Sequence, residues 1–383
     1  MIELFKYKED CCGCTACKNI CPKNAITMKR DEEGFSYPSI DSNLCIECNL
    51  CKKICNFKKD YDRSDNFDSP KVHAVKYKDE KERMSSRSGG MFVAISDFIF
   101  NRNGIVYGAS FDENFNVIHR RIQSKKERIL IKGSKYVQSD LKDTFSNVKK
   151  DLEEGNLVLF SGTPCQTAGL KSYLKNNKNI CNLYLCDIVC HGAPSPLIWK
   201  EYVNFIEKKY NDKLVQFDFR DKSFGWNTHI ESFTLSKKNK KIYTEYYTKI
   251  FYEHLMLRPS CHNCKYTNFE RPSDITIADF WGIEKLFPEF DDNKGVSLVL
   301  INSNKGMEIF NESLNDIYYK EANIDSCIQP NLKEPSKPSS IREQFWNDYY
   351  KKGFIYILKR YSGYGYVNKI KKKVKSIIDI NFL

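Results

Sequence analysis

The sequence predicts a chain of α+β or α/β class in three parts: a small cysteine-rich N-terminal domain, a larger mixed-sheet domain, and a helical C-terminal tail. Three observations lead to this organisation. Nine of the 16 cysteines lie before residue 56. Apolar strand-like runs at 157–160 and 183–189 are each followed by a turn and a helical pattern, which is typical of a sheet with helices packed on it. The last stretch, 367–383, has a helical pattern rich in lysine.

Composition excludes several classes of protein. The 383 residues are 41% hydrophobic, which is too apolar for a disordered chain. The mean hydropathy is −0.55, and no apolar run reaches the roughly 18–20 residues of a membrane span. The N-terminus lacks the apolar segment of a secretory signal. We therefore expect a cytoplasmic protein whose cysteines are thiols, nucleophiles or metal ligands rather than a disulfide framework.

The N-terminal cysteines follow one spacing twice, C-x2-C-x2-C-x3-C. The first run is Cys11, Cys14, Cys17 and Cys21, and the second is Cys45, Cys48, Cys51 and Cys55. This is the spacing of two-cluster bacterial ferredoxins, in which the fourth cysteine of each run binds the other 4Fe-4S cluster. Cluster one is thus predicted to take Cys11, Cys14, Cys17 and Cys55. Cluster two is predicted to take Cys45, Cys48, Cys51 and Cys21.

The alternative to iron–sulfur clusters is a pair of zinc sites. Zinc ribbons use paired C-x2-C knuckles, whereas this pattern is a four-cysteine run that repeats. The prediction is therefore a two-cluster ferredoxin-type domain over residues 1–60, with the clusters serving as its core. Cys12 is left over and is interpreted as a small residue beside a ligand.

Four of the seven remaining cysteines could form a third site. Cys165 and Cys190 each follow an apolar strand-like run, and Cys261 and Cys264 form a C-x2-C knuckle. Strand ends on one edge of a sheet converge, but spacing alone leaves the third site and plain thiols equally open. The other three cysteines, Cys181, Cys186 and Cys327, are interpreted as ordinary buried thiols.

The rest of the chain reads as a polar linker at 58–70 followed by alternating strands and helices. Apolar or alternating runs predict strands at 72–77, 104–109, 157–160, 183–189, 215–219, 230–236, 241–246, 275–278 and 295–302. Helical periodicity predicts helices at 91–100, 141–154, 167–175 and 196–210, and again after 326. The serine and glycine run at 85–90 precedes the first of these helices, so it could bind an anion or simply cap the helix.

The tail, residues 331–383, is predicted to be helical and basic. In 367–383, apolar residues fall on one helical face and lysines surround it. Such a helix could lie on an anionic membrane at the inner face, although docking on its own protein is the simpler interpretation.

The ordered motifs resemble the family of coenzyme F-420 hydrogenase/dehydrogenase beta subunits, in its bacterial form fused to a ferredoxin domain. The resemblance runs from about residue 8 to about residue 330. Its motifs are residues 85–90, 133–139, 162–166 with 168–170, 187–196, 219–226, 261–264 and 274–282. Arg87 departs from the usual serine run, which weakens a phosphate role for that loop.

This resemblance implies an FAD-containing iron–sulfur domain over residues 70–330. It implies a third 4Fe-4S cluster on Cys165, Cys190, Cys261 and Cys264. It further implies that the flavin lies near Ser88, Gly89, Gly90, Lys135, Tyr136 and Gln138. Related members resemble proteins that are encoded among bacterial genes for surface polysaccharides. This resemblance does not identify a substrate. Nothing in the sequence marks binding of the deazaflavin in the family name.

We expect an oxidoreductase that moves electrons between a ferredoxin-type partner and FAD, and thence to a small-molecule substrate or a partner's cofactor. His191, next to Cys190, is the candidate catalytic residue: it could donate a proton or hydrogen-bond a cluster sulfur, and a structural imidazole is the alternative. An electron-transfer subunit without its own substrate is the alternative. The net charge of +12 also suggests a nucleic-acid binder. Three clusters at roughly −2 each and a pyrophosphate would offset most of that charge, so no nucleic-acid partner is expected.

Overall fold

A computed structural model describes residues 3–365 of the chain. The strands are β1 (Ile26–Arg30), β2 (Ser36–Ile40), β3 (Asn66–Tyr77), β4 (Ile105–Phe111), β5 (Val117–Ile122), β6 (Val158–Gly162), β7 (Leu183–Ile188), β8 (Leu214–Asp218), β9 (Glu231–Leu235), β10 (Lys238–Thr244), β11 (Ile275–Asp279), β12 (Ser297–Ser303) and β13 (Ile317–Ala322). The α-helices are α1 (Ala16–Asn19), α2 (Leu50–Lys53), α3 (Glu80–Met84), α4 (Met91–Phe100), α5 (Thr144–Glu153), α6 (Pro164–Leu174), α7 (Pro196–Tyr210), α8 (Tyr246–Tyr252), α9 (Ile283–Leu286), α10 (Asn304–Glu312), α11 (Arg342–Lys352) and α12 (Phe354–Tyr361).

Eight strands form one mixed sheet in the order β13-β3-β12-β11-β7-β6-β4-β5. The neighbours β4, β6, β7 and β11 run parallel, and the outer pairs run antiparallel. Helices cover both faces, because one core cluster joins the sheet to α4 and α10 and another joins it to α5 and α6. The carboxyl ends of β6 and β7 share one edge, where ligand sites of parallel sheets commonly lie. This architecture confirms the predicted mixed-sheet class.

A second, three-stranded antiparallel sheet has the order β10-β9-β8. Its aromatic core includes Trp199 of α7, Phe217 of β8 and Phe233 of β9. Helices α11 and α12 bury Phe345 and Ile357 in the same core. The described part of the predicted C-terminal tail therefore packs on α7 and the small sheet.

The N-terminal domain is a β1–β2 hairpin with the short helices α1 and α2. The hairpin pairs antiparallel, and the turn at Gly34 takes a φ of 85°. The domain docks on the sheet domain through hydrogen bonds. Ser172 Oγ donates to the Ile54 carbonyl at 3.1 Å, and Ser195 Oγ donates to the Glu33 carbonyl. The Glu33 carboxylate also pairs with Arg342.

Several elements differ from the sequence prediction. Strand β3 begins at Asn66, inside the predicted linker 58–70. The sequence prediction missed this start because the first half of the strand is polar and pairs only briefly with β12. Strands β5 and β13 were not predicted, since both lie at sheet edges and mix polar with apolar residues. The predicted basic helix at 367–383 lies outside the described residues. No helix within 3–365 is long and apolar enough to cross a membrane.

Candidate functional site

The two cysteine runs of the N-terminal domain occupy matching backbone turns. Each cysteine of the first run has its counterpart 34 positions later. Thr15 and Asn49 precede α1 and α2 in the left-handed conformation, with φ values of 65° and 60°. Gly13 and Glu47 take the same conformation two residues earlier, at 71° and 52°. Alternation of left- and right-handed residues turns successive N–H groups toward one side and forms an anion-binding concavity. These turns fit an anionic cluster.

Four cysteines line one small cavity of the N-terminal domain, and they come from both runs. They are Cys21, Cys45, Cys48 and Cys51. Most of the remaining lining is apolar, and it includes Ile26, Ile40, Ile46 and Leu50. A mostly apolar pocket with thiols from both runs fits a 4Fe-4S cluster at the position predicted for cluster two.

The cysteines predicted for cluster one lie on the side facing the sheet domain. Cys17 is close enough to Cys11 and Cys55 to interact electrostatically, and burial together with these neighbours raises the pKa of its thiol to about 12. Cys14 packs on α6, where a Cβ at Gly169 would lie 2.9 Å from the Cys14 sulfur. Only a glycine at this position of α6 allows the cysteine loop to approach so closely.

The four cysteines of the predicted third site lie together at the carboxyl edge of the parallel strands. Cys165 is in the first turn of α6, after β6, and Cys190 follows β7. Cys261 and Cys264 come from the 3-10 turn Pro259–Asn263 and its cap. Cys190 interacts electrostatically with all three others. The backbone N–H of Ala193 donates to the Cys261 sulfur at 3.2 Å.

Burial of these thiols has a chemical consequence. Desolvation raises the pKa of Cys261 to about 12 and of Cys264 to about 11. Buried thiols favour the neutral form unless a cation stabilises the thiolate, and the iron of a cluster would supply that cation. Within residues 3–365, no three Cys, His, Asp or Glu side chains converge closely enough to hold one metal ion. A four-iron cubane takes a wider arrangement, since its thiolates bind different irons.

Cys12 lies between the N-terminal cysteines and the third group. Its buried thiol is in hydrogen-bonding contact with Cys14 on one side and with Cys165 on the other. Its carbonyl accepts a hydrogen bond from the Gln138 side chain at 3.1 Å. The residue interpreted from sequence as a spare thus joins two candidate clusters. The remaining cysteines are Cys186 and Cys327, which are buried, and Cys181, which is exposed and corrects the expectation of a buried thiol.

Comparisons with known proteins agree with this two-part construction. Residues 10–59 match the 4Fe-4S dicluster domain model. Residues 155–326 match the model for the C terminus of the coenzyme F420 hydrogenase/dehydrogenase beta subunit. The chain therefore carries a domain of this beta-subunit family behind a 4Fe-4S dicluster domain.

Individual relatives include a protein of Methanosarcina mazei that is named as the F subunit of F(420)H(2) dehydrogenase. It is 23% identical over 189 residues, 47% of this chain, and the match spans about half of that relative, 53%. An uncharacterised ferredoxin of Methanocaldococcus jannaschii is 33% identical over 54 residues, which is 14% of this chain and 69% of the ferredoxin. A chain of the F420-reducing NiFe hydrogenase complex from Methanosarcina barkeri is similar in structure, with a TM-score of 0.46, 15% identity, and coverage of 66% of this chain and 82% of its own.

In this chain, the predicted flavin residues fall in three places. Ser88, Gly89 and Gly90 lie against the sheet, between α3 and α4. The Ser88 hydroxyl donates to the carbonyls of Ala278 and Val296, at 3.0 and 2.7 Å. A Cβ at Gly89 would lie 2.0 Å from a β3 carbonyl oxygen. This loop is therefore bound closely to the protein's own backbone.

Lys135 and Tyr136 lie beside the aromatic side chains of the small sheet and α8. Burial lowers the pKa of Lys135 to about 7, partly offset by Asp218. The ring of Tyr136 stacks on Phe251 with centroids 4.8 Å apart. Asp218 also pairs with Arg87 at 2.6 Å. Two basic side chains, Arg87 and Lys135, thus meet an aromatic wall beside Asp218, and this arrangement fits a pyrophosphate and a flavin ring.

Gln138 lies apart from these two residues, at the junction of the domains. Its amide nitrogen donates to the Cys12 carbonyl, and its amide oxygen accepts from Arg258 at 2.9 Å. The structure therefore places Gln138 next to the candidate clusters rather than beside Tyr136.

His191 makes a direct contact with a second histidine that sequence reasoning missed. Its Nε2 lies 2.8 Å from Nε2 of His254, and its Nδ1 lies 3.1 Å from the Asn331 side-chain oxygen. Burial and the neighbouring His254 lower the pKa of His191 to about 4, so its imidazole is neutral at pH 7. Nδ1 of His254 lies 2.7 Å from the Lys337 carbonyl, which can only accept, so this nitrogen carries a proton.

Arg258 is the other functional residue that was missed. It is buried at the domain junction, and its Nε donates to the Cys11 carbonyl at 2.8 Å. Its position three residues before Cys261 was the available signal. For His254, the signal was its place in the aromatic run just before that arginine.

Proposed function

We propose that this protein is an iron–sulfur flavoprotein oxidoreductase, which passes electrons between a ferredoxin-type donor and FAD to reduce an organic substrate or a partner's cofactor. One observation carries the proposal. Candidate ligands form an unbroken series from the exposed Cys48 to the less exposed third group, with Cys12 in contact with both Cys14 and Cys165. A series of this kind suits one-electron transfer between centres.

The order of the centres follows from burial. Cys48 is exposed, so cluster two would be the point of entry or exit. Cys51 of cluster two is close to Cys17 of cluster one, which places these two centres side by side. Cys14 and Cys165 then flank Cys12, which leads to the third group and to His191 beyond it.

The cofactor side of the proposal rests on Arg87, Lys135 and Tyr136. The two cations would hold the pyrophosphate of FAD, and the tyrosine would pack on its ring. FAD, when bound, would couple single electrons to a two-electron reaction. His191 and His254 would share one proton between their Nε2 atoms, so the neutral His191 could take up a proton at that nitrogen and release it again. The pair would thus provide a proton site beside the electron path.

A second candidate is an electron-transfer subunit without a substrate of its own. The dehydrogenase relative from Methanosarcina mazei is itself named as a subunit, which favours this candidate. Reoxidation of the reduced flavin distinguishes the oxidoreductase from the electron-transfer subunit. If it requires a partner protein and no small molecule replaces that partner, the second candidate is correct.

Surface polysaccharide biosynthesis is the setting we propose for the substrate, on the resemblance to proteins of that type alone. A cytoplasmic location belongs to the same proposal, because 4Fe-4S clusters and free thiols suit a reducing compartment.

Analysis of the anaerobically purified full chain tests the proposal. It should contain about twelve irons per chain for three cubane clusters. Yellow flavin absorbance should remain in the supernatant after the clusters are removed. About eight irons would eliminate the third cluster. Absence of flavin would eliminate FAD.

A further inference from the structure

An apolar surface surrounds the cysteines of cluster two. Leu44, Ile46 and Leu50 are 51%, 57% and 38% exposed, although all three are large aliphatic residues. Single exposed aliphatic residues are common, but here three fall within seven positions. Ile46 and Leu50 also line the cavity that holds the cysteines of cluster two. The same side chains thus cover the candidate cluster and face the solvent.

The rim of this surface is basic. Lys23, Lys52 and Lys53 are all exposed and lie within two residues of a cluster-two cysteine. Two exposed acidic residues, Asp41 and Glu47, lie in the segment that carries the apolar residues, against three lysines in the rim. Basic residues around an apolar centre match an acidic partner, both in the steering of its approach and in the docked complex.

We propose that Leu44, Ile46 and Leu50, with their lysine rim, form the docking surface for a small acidic electron-carrier protein of the ferredoxin class. This inference rests on the proposed function, since it assumes a cluster at Cys21, Cys45, Cys48 and Cys51. On docking, one electron leaves the reduced centre of the carrier and enters cluster two, and no atom is transferred. Any other protein bound to this surface would keep the electron carrier away from cluster two, which is the most exposed centre of the chain.

Stopped-flow reduction of the anaerobic full chain tests the surface. The probe is a reduced acidic 2(4Fe-4S) ferredoxin, compared with dithionite. Ile46→Asp should lower the second-order rate with ferredoxin at least about tenfold, through lost apolar contact and added repulsion. The rate with dithionite and the iron content should stay unchanged. Val215→Asp is the matched control, because Val215 is equally exposed but lies on β8.

The salt dependence gives a second readout that does not depend on a variant. The wild-type rate with ferredoxin should fall as ionic strength rises, because the lysine rim steers the carrier. An unchanged rate in Ile46→Asp, a salt-independent rate, or no reduction by ferredoxin would each overturn the docking surface. A dimer that Ile46→Asp dissociates would assign the surface to a second copy instead. Iron content too low for cluster two would overturn the proposed function itself.

A separate observation concerns the charge of Arg258. Five arginines are buried, and four of them pair with an aspartate. The pairs are Arg83 with Asp292, Arg128 with Asp97, Arg220 with Asp279 and Arg271 with Asp187. Arg258 is only 1% exposed, yet no carboxylate in residues 3–365 pairs with it. Its guanidinium instead donates to neutral oxygens of Cys11, Ser36 and Gln138, at 2.8, 3.1 and 2.9 Å.

A buried cation requires a compensating negative charge, because desolvation of an unpaired ion is very costly. The groups that act on the Arg258 charge are Cys11 and Cys12 on one side and Cys261 on the other, together with Tyr37. Ring contact with Tyr37, at 4.2 Å from the centroid, is too weak to replace an anion. Anionic thiolate-bound clusters on both sides would supply the charge.

The geometry points to Arg258 as a positioning residue that raises the reduction potentials of cluster one and the third cluster together. This inference also rests on the proposed clusters. A positive charge between two centres stabilises the more negative, reduced form of each. Cluster two lies on the far side of cluster one and should feel this charge least.

An EPR-monitored redox titration of the anaerobic full chain tests this role. Arg258→Gln should shift the potentials of cluster one and the third cluster downward while that of cluster two stays unchanged. Arg258→Lys keeps the positive charge and should lower both potentials by a smaller amount. This variant replaces Arg258→Gln in the test if the glutamine variant does not fold. Arg128→Gln is the control for loss of a buried arginine elsewhere.

Equal potentials in wild type and both Arg258 variants, or an equal shift of all three clusters, would overturn the role of Arg258. A chain without the third cluster would overturn the proposed function before any potential is compared.

Discussion

The N-terminal domain and the sheet domain are stabilised by different means. In the sheet domain, all seven residues of β12 are buried, as are nine of the ten residues of α4. In the N-terminal domain, α1 and α2 each bury a single residue, and its largest fully buried side chain is Phe35. Hydrophobic burial can stabilise the first kind of domain by itself, whereas a segment this short and polar usually needs metal. The proposed clusters would therefore stabilise the fold of the N-terminal domain and supply redox chemistry in both domains.

Removal of iron should produce the largest difference between the two domains. We expect the backbone amides of residues 3–60 to exchange freely with solvent once a chelator has removed the clusters under anaerobic conditions. The amides of β12 and α4 should stay protected, because their core contains no cysteine ligand. Hydrogen exchange with mass spectrometry measures both in one sample. Protection that persists in 3–60 without iron would show that the N-terminal domain folds on its own.

A cavity in the core should have the opposite effect. Leu300→Ala removes a fully buried side chain at the centre of β12 and should lower the free energy of unfolding of the sheet domain by about 2–5 kcal/mol. Iron content of residues 3–60 should not change. Chemical denaturation followed by tryptophan fluorescence gives the first value, since all four tryptophans lie beyond residue 60. A loss of N-terminal iron in this variant would mean that the two domains fold as one unit.

Acid should destabilise the sheet domain more than the N-terminal domain, because all six histidines of the chain lie beyond residue 60. Burial lowers the pKa of His119 to about 4, from 6.5. The unfolded chain therefore binds a proton below pH 6.5 that the folded domain rejects. Stability is fully present above pH 6.5 and is lost as the pH falls toward 4, by about 3 kcal/mol for this residue. His119→Gln should flatten the pH dependence of sheet-domain unfolding, and a profile as steep as wild type would refute this cause.

The smallest effect is expected at the surface of the domain junction. Lys18 Nζ lies 3.1 Å from Asp143, and both side chains are partly or largely exposed. Lys18→Ala should change the free energy of unfolding by less than about 1 kcal/mol and leave the iron content unchanged. A larger loss, measured in the same denaturation experiment, would show that this pair holds the domains together. Asp143→Ala provides the matched partner variant.

The sequence alone predicted those parts of the organisation in which chemistry fixes the spacing of residues. The two cysteine runs repeat at a fixed offset, and the apolar runs after which Cys165 and Cys190 stand are strands β6 and β7 of the sheet. Edge strands β5 and β13 were missed because charged residues interrupt their apolar ones, namely Arg120 and Arg121 in β5 and Lys320 and Glu321 in β13. The linker prediction was wrong at β3 for the same reason.

Residues that matter through long-range contact were harder to find. Cys12 is a neighbour of a ligand in sequence, but its contact with Cys165 exists only after the domains dock. Arg258 and Gln138 are 120 positions apart and meet at that same junction. His254 meets His191 across 63 positions, with α7, the small sheet and α8 in between. Local spacing carries no information about such pairs.

In the proposed function, electrons cross the domain junction from the N-terminal clusters through the third group to the flavin. Stopped-flow absorbance of the anaerobic full chain tests it most directly, by comparison of wild type with Cys165→Ser after mixing with reduced ferredoxin; Cys181→Ser is the control. We predict that Cys165→Ser loses about four irons, keeps rapid reduction of the N-terminal clusters, and leaves the flavin oxidised. Flavin that is reduced at the wild-type rate in Cys165→Ser would contradict the account.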